Sequence, residues 1–254
     1  MSAHTFVREL TGQAQEKIRT AQISPLRFTA WYLALSLLMA LAENAVQYLC
    51  AAEVPSTPAM FAELFSGLVG IVLGAGYTCY CLGVFHNTHM PIATLFDGFS
   101  FAGKVILLFL LQSLYTALWT MLFIIPGIFA AYSCRFAMPI LCEDPSVSPL
   151  QALSRSLQMS SGHRWTMFLI DLHYIPHFLA AYVVVFVYVW LFGNAVPDTL
   201  FGSLLDVLIT FSIVGAAELY VLPRLNFAHT GLYLHAAKNT PQPKTDEGNS
   251  HTNF

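Results

Sequence analysis

The sequence predicts an all-α polytopic transmembrane helix bundle of about six spans, with both termini in the cytoplasm. Three observations predict it. Of 254 residues, 56% are apolar and only 10% are Asp, Glu, Lys or Arg, where a soluble domain carries about a quarter charged residues. Mean hydropathy is +0.62, and the apolar residues fall in runs near the roughly 20 helical residues that cross bilayer hydrocarbon. The 11 Lys and Arg residues sort to one side of those runs. This composition excludes a soluble globular enzyme. A formal charge of −3, without any Lys/Arg block, offers no groove for nucleic acid. The expected partner is the lipid bilayer, with a membrane-protein partner or a second copy left open.

Residues 1–27 read as a polar cytoplasmic segment carrying Arg8, Lys17, Arg19 and Arg27. The apolar run behind them is too long for a signal-peptide core of about 7 to 15 residues, so no cleaved leader is expected. The membrane domain covers 28–222. Its first two spans, 28–52 and 60–85, flank a proline-containing turn at 53–59. The third, 103–125, meets Pro126-Gly127, where proline lacks a helical donor and glycine accepts a left-handed turn, so a tight hairpin is expected there. The fourth run, 128–142, reaches only about 24 Å; a tilted short span, a re-entrant hairpin and a kinked continuation of the third all fit it. Residues 165–192 and 200–222 supply the last two spans. The segment 223–254 is cytoplasmic and ends in a tail, 239–254, too polar to repay the entropy of ordering.

Basic residues in short loops set orientation independently of hydropathy. A cytoplasmic N-terminus and six crossings put 10 of the 11 Lys and Arg inside and none outside, with Arg135 inside a span. If the fourth run failed to cross, Arg155 and Arg164 would face outward. Trp31 and Trp165 then mark inner ends, and Trp119 and Trp190 outer ends, as aromatic belts do.

Between the fourth and fifth spans, Ser148-Pro149-Leu150-Gln151 has a serine N-cap, proline at the first helical position and Gln at the third, with Gly162 placed to end the helix. An interfacial helix over 149–161 is expected, its Leu150, Leu153 and Leu157 on one side. In the second span Ser66, Gly70 and Gly74 recur every four residues, a pattern that lets helices approach closely in lipid.

Charges inside spans are costly and normally pair or face a cavity. Arg135, Asp171 and Glu218 all count to about 7 to 11 Å from their inner span ends, so they are expected to form one polar cluster. His173 and His177 share a helix face four residues apart, near Asp171. Metal ligation needs at least a third ligand, and the spacing of Cys79 and Cys81 lacks the paired CxxC of a zinc site, so neither metal nor cofactor is expected. No catalytic residue is assigned.

The stretch 95–165 resembles the bacterial integral membrane family catalogued as domain of unknown function 975. The matching pieces are the GF element at Phe99, Pro126-Gly127-Ile128, Ala131-Tyr132, Glu143-Asp144 before Pro145, Ser148 with Gln151-Ala152-Leu153, Ser156, and Gly162 before Trp165. The pattern departs after the last span, where the family's Pro-Tyr pair is here Pro223-Arg224. The family has no established activity, so the resemblance implies a bacterial cytoplasmic membrane location and an all-helical fold, not a reaction. The functional expectation is a non-enzymatic protein acting by binding, assembly or permeation. The alternatives are a secondary transporter of a small solute and an intramembrane enzyme on lipid or peptide using Asp171, His173, His177 and Glu218.

Overall fold

A backbone in lipid must satisfy its own polar groups, which leaves helices as the route for these apolar runs. The computed structural model of the protein describes residues 3–50, 57–192 and 199–239, helices joined by turns and short irregular links with no strand among them. Six helical stretches are long and apolar enough to cross a membrane: Pro25–Leu49, Thr57–Phe85, Ile92–Leu122, Ile124–Glu143, Arg164–Phe192 and Leu200–Asn239. Of the expected turn at 53–59, residues 53–56 lie outside the described residues while 57–59 already belong to the helix Thr57–Phe85. Residues 193–198 and 240–254 lie outside them too, and Asn239, the first residue of the expected tail, ends the last helix.

In chain order the elements are α1 (Ala3–Thr20), α2 (Pro25–Leu49), α3 (Thr57–Phe85) and a 3-10 segment (Ile92–Phe101) leading into α4 (Ala102–Leu122). They continue with α5 (Ile124–Cys134), α6 (Ala137–Glu143), α7 (Pro149–Met159), α8 (Arg164–Phe192) and α9 (Leu200–Asn239).

The hairpin between the third and fourth spans exists, but its pivot is Phe123 rather than Pro126-Gly127. Phe123 is extended (φ −158°, ψ 149°) between α4 and α5. Gln112 Nε2 donates to the Cys134 carbonyl at 2.9 Å, and Gly127 faces Thr120, so the arms run antiparallel about residue 123. Pro126 falls in the first turn of α5, where amide donors have no intrahelical acceptor to lose. Gly127 is helical, and its role is contact: a Cβ there would lie 2.2 Å from Thr120 Oγ1 and 2.9 Å from Thr120 Cα. The fourth span is two short helices, α5 and α6, broken at Arg135 and Phe136.

The helix that carries the sixth span does not stop at 222. Helix α9 runs through Pro223 to Asn239, about 60 Å at 1.5 Å per residue, twice the hydrocarbon thickness. Its extension gives the N-terminal segment a partner, and 3–20 folds as an amphipathic helix that packs on α9, with Leu10 and Ala14 buried in the same core cluster as Phe227, Ala228, Leu232 and Ala236. Phe6 meets His235 edge-on at 5.0 Å, so the two described ends of the chain lie together. Lys17 Nζ donates to the Phe85 carbonyl at 3.3 Å and to Asn87 Oδ1 at 2.9 Å, capping the C-terminal end of α3 where cations are favoured. Asn87 takes a positive φ of 56°, a left-handed turn that asparagine tolerates.

The core fills the half of the bundle nearest those ends. Phe28 stacks on Tyr80 at 3.8 Å and meets Tyr77 edge-on at 5.5 Å. Both phenols are tied down: Tyr77 pairs with Thr29 at 2.7 Å, and Tyr80 donates to the Ile23 carbonyl at 2.8 Å. Beside them the 3-10 segment lies directly on α3. A Cβ on Gly76 would sit 2.1 Å from the Leu95 carbonyl oxygen, and one on Gly98 2.3 Å from that of Val72. These glycines, rather than Gly70 and Gly74, make the close approach; around Gly70 and Gly74 nothing lies within 4 Å of such an atom.

Helix α7 carries the expected capping box, with Ser148 and Gln151 each accepting from the other's backbone, and Gly162 turns the chain at φ +92°. Its buried face differs from the leucine face. Ala152, Leu153 and Ser156 are buried while Leu150 is 64% exposed, because the small side chains allow close docking and Ser156 Oγ donates to the Ser133 carbonyl at 2.7 Å.

Candidate functional site

Helices α5, α8 and α9 converge on one carboxylate. Asp171 of α8 accepts from Arg135 Nη1 at 2.7 Å and from Tyr132 OH at 2.9 Å, both at Oδ2, and pairs through Oδ1 with His229 Nε2 at 2.8 Å. The Nε2–H tautomer of His229 is the one that donates to a carboxylate. Its Nδ1, on the far side of the ring, is buried without a hydrogen-bond partner among the described residues. The break after α5 is what frees Arg135 to turn toward α8, since it caps that helix instead of continuing it. The side chains of Asp171 and His229 are 16% and 11% exposed, and that of Arg135 is 37% exposed. A carboxylate holding three donors is an anchor between helices, not a free base or nucleophile.

The sequence-derived cluster of Arg135, Asp171, His173, His177 and Glu218 therefore comes together only at its first pair. Glu218 lies near Tyr32 of α2 and makes no hydrogen bond among the described residues. Its depth was counted from an end at Pro223, but α9 has no end there, so the α9 residue level with Asp171 is His229, eleven residues or about 16 Å farther on. His177 stacks on Tyr220 at 5.5 Å, and His173 contacts Tyr174 and faces away from Asp171 toward α1. The four residues of the intramembrane-enzyme alternative are thus dispersed. Tyr132 and His229 were missed, although Tyr132, three residues before Arg135, was within one turn of a residue already singled out.

A larger opening lies at the end of α3. A cavity of about 730 Å³ sits between α3, the 3-10 segment and the end of α6, lined by His86, Thr88, Met90, Asp97, Ser100 and Glu143 among others. Glu143 Oε2 accepts from Tyr233 OH at 2.5 Å, and Oε1 lies 3.4 Å from His86 Nε2. Asp97, carried on the exposed side of the 3-10 segment, has no ion-pair partner among the described residues. Met90 covers Gly83, where a Cβ would meet its side chain at 1.9 Å. Just past α6, the Ser146 hydroxyl and amide both donate to Asp144 Oδ1 and hold that carboxyl below the usual carboxylate range. Lys104 Nζ donates to the Pro145 carbonyl at 2.5 Å, tying α4 to the same loop. At the start of α8, burial and then the nearby His235 ring push the His163 imidazole below its ordinary value.

Among the described residues no group of three or more His, Cys, Asp or Glu side chains is placed to hold a metal ion. The five cysteines are unpaired thiols. No family model, curated protein or solved structure matches the chain.

Proposed function

We propose that this multi-pass protein resides in a bacterial cytoplasmic membrane, with both termini inside, and acts without catalysis by binding a small organic cation at the end of α3. The observation that carries this is the 730 Å³ cavity with Asp97 and Glu143 on its lining, a size typical of small-ligand sites. Its walls suit a cation of mixed character. Two carboxylates supply charge, the Thr88 and Ser100 hydroxyls supply directed acceptors, and Met90 with Phe101 offers polarizable surface. Orientation is supported by the basic residues, and kinship with the domain of unknown function 975 family by the motif order over 95–165. The clamp on Asp171 then serves to hold the helices that frame this end of the bundle.

The test is thermal unfolding of the detergent-solubilised full chain with a primary amine, a diamine and tetramethylammonium, each beside its neutral alcohol counterpart. At one hundred times its dissociation constant a bound ligand stabilises by about 2.7 kcal/mol. A shift with at least one cation, absent with its neutral counterpart and lost in Asp97→Asn, is expected. No shift with any cation, or an undiminished shift in Asp97→Asn, overturns the reading. The broken fourth span favours a second reading, in which the bound solute also crosses, since interrupted helices line many transport sites. Uptake of the stabilising cation into proteoliposomes distinguishes the two.

A further inference from the structure

We infer that the groove between α1 and α8 holds the headgroup of an anionic phospholipid whose acyl chain lies along the outer face of α8. The groove, about 430 Å³, is lined by Val7, Arg8 and Thr11 from α1 and by Leu169, Leu172 and His173 from α8. Polar and apolar groups are both present in it. The guanidinium of Arg8 has no carboxylate within ion-pair distance among the described residues, and arginine binds phosphate through paired donors. His173 stands beside it as a second donor, while the Thr11 hydroxyl is already donated to the Arg8 carbonyl at 3.0 Å. Val7, Leu169 and Leu172 make the remaining wall apolar.

The groove lies within about two turns of the level that marks the membrane surface on α8, where the polar helix α1 packs against it. Trp165 is 59% exposed at the start of α8, where an interfacial tryptophan belongs, and Leu169 to His173 follow about 6 to 12 Å farther along the helix. From there Leu172, Ile175, Leu179 and Phe186 continue as an exposed stripe on one side of α8. The groove therefore opens directly onto an unbroken apolar track, a geometry that fits a charged head and a hydrocarbon chain in one molecule. A basic residue near a membrane surface attracts anionic lipid over zwitterionic lipid. This inference needs only that α8 spans the bilayer and is independent of the cavity at the end of α3.

The experiment uses the full chain in mixed micelles of equimolar phosphatidylglycerol and phosphatidylcholine, with retained lipids counted by native mass spectrometry. Preferential retention of phosphatidylglycerol is expected. Arg8→Gln and His173→Glu should each lower it about fivefold, while Arg19→Gln, at the far end of α1, leaves it within about twofold. Equal retention of both lipids by the wild-type chain overturns the inference. So does a loss in Arg19→Gln as large as that in Arg8→Gln, which would mark diffuse attraction rather than a site. His173→Glu alters an exposed side chain on α8, so unchanged retention in that variant is decisive even if Arg8→Gln unseats α1.

Discussion

The half of the bundle that carries both described ends is packed like a soluble domain, while the opposite half shows most of its side chains to lipid. Tyr80, Phe28, Phe136, Phe227, Met167 and Leu232 are all fully buried in the first half. In the second, Met121, Phe186, Trp190 and Phe201 are each more than 70% exposed. The polar contacts divide likewise. The three-residue clamp on Asp171, the Tyr77 and Tyr80 hydroxyl bonds and the capping box of α7 belong to the packed half. The lipid-facing half has the smaller arrangement in which Glu43 accepts from Ser66 Oγ at 2.6 Å and Gln47 Nε2 at 3.2 Å. Water drives burial near the membrane surface, whereas inside hydrocarbon an apolar side chain gains little by leaving lipid for protein. Stability should therefore be concentrated where α1, the α9 extension, the 3-10 segment and α7 meet.

The sharpest way to break this comparison is to make one substitution in both halves of a single helix. Gly76→Ala drives a methyl into the Leu95 backbone carbonyl, which cannot swing aside as a side-chain tip can. A loss of about 3 kcal/mol in detergent unfolding is expected. Gly70→Ala, in open space on the same helix, should be neutral or stabilising by up to about 1 kcal/mol. Equal losses at the two sites would mean that α3 is seated by its small-residue stripe after all.

A double-mutant cycle sharpens the assignment of the clamp. Arg135→Ala and Asp171→Ala should each cost about 2 kcal/mol, less than a fully buried pair because Arg135 is partly exposed. Their coupling should exceed about 1 kcal/mol, whereas Arg135→Ala and Glu218→Ala should add within about 0.5 kcal/mol. Coupling of Arg135 to Glu218 instead would restore the cluster that depth counting proposed. The smallest effect is expected at the helix cap: Ser148→Ala removes one acceptor from the start of α7 and should cost about 1 kcal/mol, read as a lower unfolding midpoint.

Much of the helical framework was legible because it is a one-dimensional property of the chain. Run length decides which segments can cross, and the capping box over 148–151 is closed by residues three apart. The Arg135–Asp171 pairing was legible for a related reason, since an unavoidable charge in a span needs an opposite charge at its own depth. The pivot at Phe123 was not legible. Pro126-Gly127 carries the stronger turn signal, but proline is equally at home in a helix's first turn, and only the packing of Gly127 on Thr120 selects that use.

By itself, then, the sequence determined the all-helical class, the six segments long and apolar enough to cross and the cap of α7, because each follows from local hydrogen bonding and length. Tertiary structure decided which glycines touch, which histidine completes the clamp, and that α1 and the α9 extension fold onto each other. The physical reason lies in the solvent. A helix in water declares its buried face by apolar periodicity, but in lipid every face of a span is apolar, so its rotation about its own axis is written only in the shapes and polar atoms of its neighbours.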